Sequence, residues 1–529
     1  NAYGITYTKG SLYKYFDHTM NQNTQATLNL APKKYKDLSV KGKLSYLFED
    51  KFYENFEVYS SQFAVRDLPT MENFTTIRDA GSQRQTIRAR NYFGVISLDY
   101  KDRYLLDAMY RYDGSSLFGS EAKWASYYRV SGAYRLSEDI KIPGVDEFKL
   151  RAAHGTAGLR PGFNWQYETY NISNGVTSPG QKGNKNLRPS QTAETEFGID
   201  VDFLKKFNLQ VNYAKSVTQD QFLNVPLIPF VNDGFTSQFQ NAGTVESKTL
   251  EITLGANWVK SKNFSWNTNV VFGQTKTVIT ELPVPSYQSG PDGLFFIKKG
   301  ETYGAIYGYD WVRSLAQMSK QLPAGKSIAD YEVNNEGYVI PKGTAGSLLE
   351  RPIKLNDANG ALAFVKMGSG LPDFTMGISN NISYKNFTLY FLFDIKSGGD
   401  VYNRKSQWLT RDNRNGIMDM GGKAASEKKA YDYYQAFYDV NTNNSYWVED
   451  ASFVKLREFA IGYTVKGSAL PGLSKVVKTM NARIIGRNLL TFTKYSGYDP
   501  EVGSIRSPFD DTGSYPNYRN VAFSLSFDF

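Results

Sequence analysis

Val521-Ala-Phe-Ser-Leu-Ser-Phe-Asp-Phe529 sets Val521, Phe523, Leu525, Phe527 and Phe529 in alternation with Ala522, Ser524, Ser526 and Asp528. Side chains of a strand point to opposite faces with period two, so this segment opposes a wholly apolar face to a small, polar one. Such a strand has one face on lipid and the other on water or a polar lumen. The aromatic last residue strengthens that reading, because outer-membrane barrels commonly close with a strand that ends on an aromatic. A half-buried strand of a soluble sandwich shows the same alternation, so the rest of the chain must discriminate.

Working back from the end, the same grammar recurs as hairpins. Tyr92, Ile96, Leu98 and Tyr100 share one face, Lys101-Asp102 turns, and Tyr104, Leu106, Ala108, Tyr110 and Tyr112 resume the pattern, with Ser97, Asp99, Asp107 and Arg111 opposite. Thr195, Phe197, Ile199, Val201 and Phe203 pass through Lys205-Lys206 into Phe207, Leu209, Val211 and Tyr213. Leu250 to Trp258 pairs similarly with Phe264 to Phe272, and Met376 to Tyr384 turns at Lys385-Asn386 into Phe387 to Phe393. About ten tilted residues suffice for a strand to cross the hydrocarbon layer. Strands are expected near 23–31, 38–48, 83–100, 103–113, 124–136, 147–156, 192–203, 207–218, 245–258, 264–277, 372–384, 387–397, 450–463, 480–492 and 519–529. Short turns join them in pairs and long Gly- and Asn-rich loops join the pairs, the asymmetry of short periplasmic turns and long extracellular loops.

Composition agrees. Tyr, Phe and Trp supply 15% of the residues, although apolar residues reach only 41%, and no uncharged apolar run is long enough for a membrane-spanning helix. Tyrosine suits a membrane interface because its ring tolerates hydrocarbon while its hydroxyl stays wet. The absence of cysteine removes disulfides, thiolate catalysis and cysteine metal sites. The net charge of +9 is scattered, with no basic block, which suits a solvated lumen and loops facing lipopolysaccharide and gives no case for nucleic acid. Asn1 opens the chain without Met or a signal segment, and an odd number of strands leaves an unpaired sheet edge, so an N-terminal part is expected elsewhere.

Catalytic chemistry finds little material. His18 and His154 are the two histidines, and Gly325-Lys-Ser327 lacks the glycine a phosphate loop needs, having Lys320 in its place. No catalytic residue, cofactor site or metal site is assigned.

Specific phrases then point to a family. Arg111-Tyr-Asp-Gly-Ser-Ser-Leu-Phe-Gly119, Asn241-Ala-Gly-Thr-Val-Glu-Ser-Lys248, Ala451-Ser-Phe-Val-Lys-Leu-Arg-Glu-Phe459, Gly486-Arg-Asn-Leu-Leu-Thr-Phe-Thr-Lys-Tyr-Ser-Gly-Tyr-Asp-Pro-Glu501 and Tyr515-Pro-Asn-Tyr-Arg-Asn520 resemble, in the family's order, the SusC/RagA family of TonB-linked outer-membrane proteins of Bacteroidota. The resemblance implies an all-β, transmembrane antiparallel β-barrel of about 22 strands, of which residues 1–529 supply the C-terminal part, about 15 strands. It also implies a plug, a TonB-contacting segment and first strands outside this sequence, and a SusD-like surface lipoprotein that lids the barrel. Oligosaccharides and oligopeptides are the implied cargo of a TonB-dependent nutrient importer in the outer membrane. A structural subunit that scaffolds an assembly without transport is the alternative. One departure stands out: where the family often has an acidic loop, this chain reads Asn356-Asp-Ala-Asn-Gly-Ala361, which suits an Asn-Gly turn better than calcium.

Function is therefore expected in the loops. The 278–371 connection is long enough for an ordered extracellular lobe, with Phe295, Phe296, Tyr303, Tyr307 and Trp311 as its expected core. By the resemblance, the 157–191 and 219–244 loops lie where the lid hinges, making Phe163, Trp165, Tyr167, Tyr170, Phe230, Phe235 and Phe239 the partner-interface candidates. Trp408, Tyr433, Tyr434 and Tyr438 of the 398–449 loop are the candidate ligand contacts, with plain loop packing as the competing reading.

Overall fold

A computed structural model describes residues 10–32, 35–65, 68–173, 175–438, 443–473, 475–501 and 509–529; Asn1 lies outside them. Among the described residues the main sheet has fifteen strands: β1 (Ser11–Leu30), β2 (Leu38–Phe63), β3 (Phe74–Tyr100), β4 (Tyr104–Ser115), β5 (Trp124–Arg135), β6 (Val145–Leu159), β7 (Ser190–Phe203), β8 (Phe207–Gln219), β9 (Thr244–Lys260), β10 (Phe264–Glu281), β11 (Phe374–Tyr384), β12 (Phe387–Ser397), β13 (Phe453–Lys466), β14 (Thr479–Thr493) and β15 (Asn520–Asp528). Their hydrogen-bonded order is the sequence order, without a crossover. Every strand expected from alternation is present.

Two compact units make up the chain. The first comprises residues 1–134, 151–195 and 217–243, and the second residues 135–150, 196–216 and 244–529. In the first unit, the turn between β3 and β4 puts Lys101 and Asp102 at φ 59° and 54° and closes with Arg103 N–H donating to Tyr100 O at 3.1 Å. Positive φ at both central positions is the geometry whose twist matches a tight hairpin. Register then fixes the faces: Tyr92 opposes Tyr112, Ile96 opposes Ala108 and Leu98 opposes Leu106. The apolar partners turn outward, with Ile96 46% and Leu106 43% exposed, while inward-facing Asn91 is fully buried and the Ser97 hydroxyl donates to Asp107 at 2.5 Å. Near the tight turn, Tyr104 packs against Tyr100 at 6.3 Å and stacks on Tyr134 at 4.9 Å. Such a row of tyrosines is the interface girdle expected of a barrel in a membrane.

The second unit repeats the design. Leu204 and Lys205 take positive φ in the β7–β8 turn, and Lys385 does so between β11 and β12. Beside those turns Phe203 packs on Phe207 at 5.0 Å, Phe207 on Trp258 at 5.7 Å and Phe387 on Tyr463 at 4.6 Å. At the C-terminus, Val521, Phe523 and Leu525 oppose Gly486, Ile484 and Ala482 of β14, and Phe523 and Ile484 project outward.

The structure departs from the expectation in length. β2 has 26 residues and β3 has 27, whereas the alternating pattern accounts for 38–48 and 83–100 only. Beyond residue 48 both faces of β2 carry charge, as in Glu49-Asp-Lys51 and Glu54, so period-two alternation fades although the ladder continues.

Candidate functional site

The long connections of each unit fold into a lobe. In the first unit, residues 157–191 and 219–244 are knitted together by a three-stranded sheet in which Ser237–Asn241 lies between Phe222–Pro226 and Gln181–Lys182. Trp165 stacks on Phe239 at 3.8 Å and meets Phe222 edge-on at 5.2 Å, and Tyr170 meets Phe235 edge-on at 5.6 Å. Polar ties lock the pair of loops: Asn184 Nδ2 donates to Phe239 O at 2.9 Å, Gln238 Nε2 to Gly183 O at 2.7 Å, and Asn241 Nδ2 to both Arg188 O and Asp220 O. Arg188 also pairs with Asp220 at 2.9 Å.

The seven interface candidates therefore split by position. Trp165, Phe163 and Phe239 are half-buried and Phe235 is buried, so they hold the lobe. Tyr167, Tyr170 and Phe230 face solvent, Phe230 with 95% of its surface exposed on the turn that follows Ile228. Ile172 and Val176 extend this apolar face on the hairpin formed by Tyr170–Ser173 and Val176–Pro179.

The second unit builds a larger lobe from 278–371 together with 398–449. Its core joins Leu294, Ile306, Trp311 and Tyr338 from the first segment to Tyr402, Tyr433, Tyr434, Phe437 and Trp447 from the second. The expected core is corrected in two respects. Tyr303 stays 59% exposed, and five of the seven buried aromatics of this core come from a segment more than sixty residues further along the chain. Trp311 and Tyr307 are buried as expected, while Phe295 and Phe296 pack at the edge, the latter 5.0 Å from Tyr307 and 5.3 Å from Phe364.

Two ligand candidates lie in that core. Tyr433 is fully buried and Tyr434 is 4% exposed; their hydroxyls donate to the two carboxylate oxygens of Glu336, each at 3.0 Å. Their rings fill the lobe, as the packing alternative has it, because the partners that satisfy them are internal. Burial and the neighbouring Glu336 carboxylate raise both phenols above their ordinary value, so they remain neutral donors at physiological pH. Beneath them Glu350, fully buried, accepts from Lys429 Nζ at 2.6 Å, Gly346 N–H at 2.7 Å and Asn334 Nδ2 at 2.8 Å. Burial alone raises a carboxyl; here the Lys429 ammonium and the donated hydrogen bonds outweigh it, and Glu350 lies below its ordinary range. Trp408 and Tyr438 differ, since Trp408 is 36% exposed on the helix Arg404–Arg411 and Tyr438 is half-buried.

Charged residues to which the sequence reading assigned no role, some of them inside the family phrases, prove to be anchors. Lys455 of β13, 1% exposed, reaches Asp499 at 2.6 Å and Glu501 at 2.5 Å, and Arg457 bonds Asp394 at 2.6 Å and also Glu501. Arg404 pairs with Asp510 at 3.0 Å and Lys405 with Asp511 at 3.0 Å. The odd spacing of Lys455 and Arg457 on one strand face, opposite outward Val454, was the available signal.

Remaining candidates are ordinary. His154 bonds Tyr128 Oη at 3.2 Å and Thr195 Oγ1 at 2.8 Å. Asp357 accepts from the Asn359 and Ala361 backbones at 2.8 and 3.0 Å, which makes a turn. Ser327 caps a short helical turn.

Comparison with known proteins places this arrangement. The family described as "TonB dependent receptor-like, beta-barrel" matches residues 1–465. TonB-dependent receptor P39 of Formosa agariphila is 26% identical over 93% of this chain and 51% of its own length. TonB-dependent receptor SusC of Bacteroides thetaiotaomicron is 24% identical over 85% of this chain and 45% of its own. The chain thus spans about half the length of these relatives. The structure of the RagAB peptide transporter shares the fold over 98% of this chain and 56% of that one, with a TM-score of 0.76 at 17% identity. The outward apolar face, the aromatic girdle and the lobed long connections are thus those of an outer-membrane barrel, and the chain belongs to the TonB-dependent receptor β-barrels of SusC/RagA type.

Proposed function

We propose that this chain is the C-terminal barrel portion of a TonB-dependent nutrient importer of SusC type, with the 278–371 lobe facing the outside. Family membership over residues 1–465 carries the reading. The lobes support it, because a channel that admits bulky nutrients needs shaped, ordered walls at its mouth. Oligosaccharides or oligopeptides are the proposed cargo; the names of two similar proteins, the receptor SusC and the RagAB peptide transporter, motivate the choice. A SusD-like lipoprotein is the proposed lid, and its seat is the exposed apolar face of the 157–191 and 219–244 lobe around Phe230, Tyr167 and Tyr170. Trp408 and Tyr438 are the proposed ligand contacts.

The test is uptake of labelled oligopeptides and oligosaccharides by cells that express the full-length protein, with and without TonB. Accumulation of one class that disappears without TonB supports the reading. Uptake unchanged by loss of TonB, or no uptake of either class at normal surface expression, defeats it. Phe230→Ala should lower recovery of the lipoprotein on co-purification while barrel yield stays normal, and unchanged recovery removes that face from the interface.

A further inference from the structure

On the membrane face of β1–β4 a groove of about 610 Å³ opens over Gly94. Leu28, Leu44, Gly94 and Tyr110 form one cross-strand row, and the bare glycine leaves a depression between exposed neighbours. The next row, Tyr46, Tyr92 and Tyr112, closes the groove at the end remote from the tight turns. Trp124 stacks on Tyr112 at 4.9 Å and lies 6.3 Å from Tyr92. It lies flat because position 114 is glycine; a Cβ there would stand 2.6 Å from the indole.

Trp124 also lines a second pocket, of about 430 Å³, that continues along the same strands with Arg88, Arg90, Ser116 and Lys123 in its wall. Depth follows from the strands. From Tyr92 to the Tyr100 girdle is about the ~9–11 tilted residues that cross the hydrocarbon layer. Arg90 lies roughly 7 Å beyond Tyr92 along the strand, at head-group level. Long connections mark this end as extracellular, so the adjacent lipid is that of the outer leaflet. Arg88 shares Asp50 at 3.0 Å, whereas among the described residues Arg90 and Lys123 have no ion-pair partner.

We propose that the two pockets form one site for a phosphorylated acyl lipid of the outer leaflet. The lipid is of the lipid A type: an acyl chain lies in the groove over Gly94, its sugar crosses the Tyr92, Tyr112 and Trp124 rings, and the phosphate on that sugar sits between Arg90 and Lys123. A guanidinium suits this task, since it offers a planar fork of donors to phosphate oxygens and is weakly hydrated. The glycine at position 94 supplies depth that a flat lipid-facing wall lacks.

The experiment uses the full-length receptor purified from its outer membrane and reconstituted in nanodiscs. Binding is read by native mass spectrometry with lipid A that carries a phosphate, with the same lipid dephosphorylated, and with phosphatidylethanolamine. The wild type should prefer the phosphorylated lipid by about tenfold. R90A/K123A should bind it no better than the dephosphorylated form, and Gly94→Leu should weaken both acylated forms. Heat-modifiable gel migration certifies that each variant is folded. Equal retention by the wild type and folded R90A/K123A overturns the proposal, as does equal affinity for phosphatidylethanolamine or full competition by inorganic phosphate alone.

Discussion

At the scale of single residues, the most demanding group is Glu350. Its carboxylate is charged although fully buried, held by Lys429, Gly346 N–H and Asn334. Removing one member of such a pair strands the other, which costs ~3–5 kcal/mol. Lys429→Met should therefore loosen the 278–371 lobe, seen as faster amide exchange at Tyr338 to Ile340, while exchange in β3 and β4 stays unchanged. The pH dependence has a definite sign. Glu350 lies below its ordinary range in the fold, so its contribution is complete above the unfolded value and fades as pH falls through the depressed folded value. Lobe protection should be constant from pH 8 to about pH 5 and be lost only in stronger acid. A decline already between pH 8 and 6 would contradict this ion pair as the controlling group. None of it was legible in the sequence, because Glu350 and Lys429 are 79 residues apart and each lies in a stretch without periodicity.

At the scale of elements, strands and connections carried different amounts of information. Alternation located every strand of the sheet because lipid on one side and water on the other impose opposite chemistries on neighbouring residues. It lost β2 after residue 48, where water lies on both sides and the ladder alone holds the strand. Lobe structure was legible only in composition. The aromatics of 278–371 and 398–449 announced packing, but the choice of partners, such as Trp311 with Phe437 at 4.7 Å, is a long-range matter. Trp165 is the corresponding keystone of the first unit's lobe, and its loss to alanine should cost about 3–5 kcal/mol. Limited proteolysis of Trp165→Ala should then cut within 157–191 at protease levels that leave the wild type intact. The tight turns admit an opposite prediction. Lys101 and Asp102 pay for positive φ, and replacing them with Asn-Gly should raise the unfolding midpoint of the barrel modestly, by about 0.5–1 kcal/mol.

At the scale of the whole molecule, the division between outward and inward faces is the organising rule. Ala108, opposite Ile96, faces lipid midway between the Tyr92 and Tyr100 rows, so Ala108→Arg should cost roughly 2–4 kcal/mol and reduce assembled barrel in the membrane. Ser97→Arg, on the inward face of the neighbouring strand, should assemble at near wild-type yield, because that wall is already polar and hydrated. Heat-modifiable migration in unheated gels reads both variants. If the two substitutions had equal effects, the assignment of faces to lipid and lumen would be wrong.

The excess length of β2 and β3 has a consequence at the cell surface. With roughly 3.3 Å per residue and a tilt near 40°, a strand of β2's 26 residues rises roughly 65 Å, against an apolar band of about 25 Å. The distal wall around Glu54 and Arg84, paired at 3.2 Å, therefore stands well clear of the bilayer. That places a rigid, charged β-surface among the outermost saccharides, where phage tail fibres and antibodies make first contact, on a scaffold too regular to evade them by flexing.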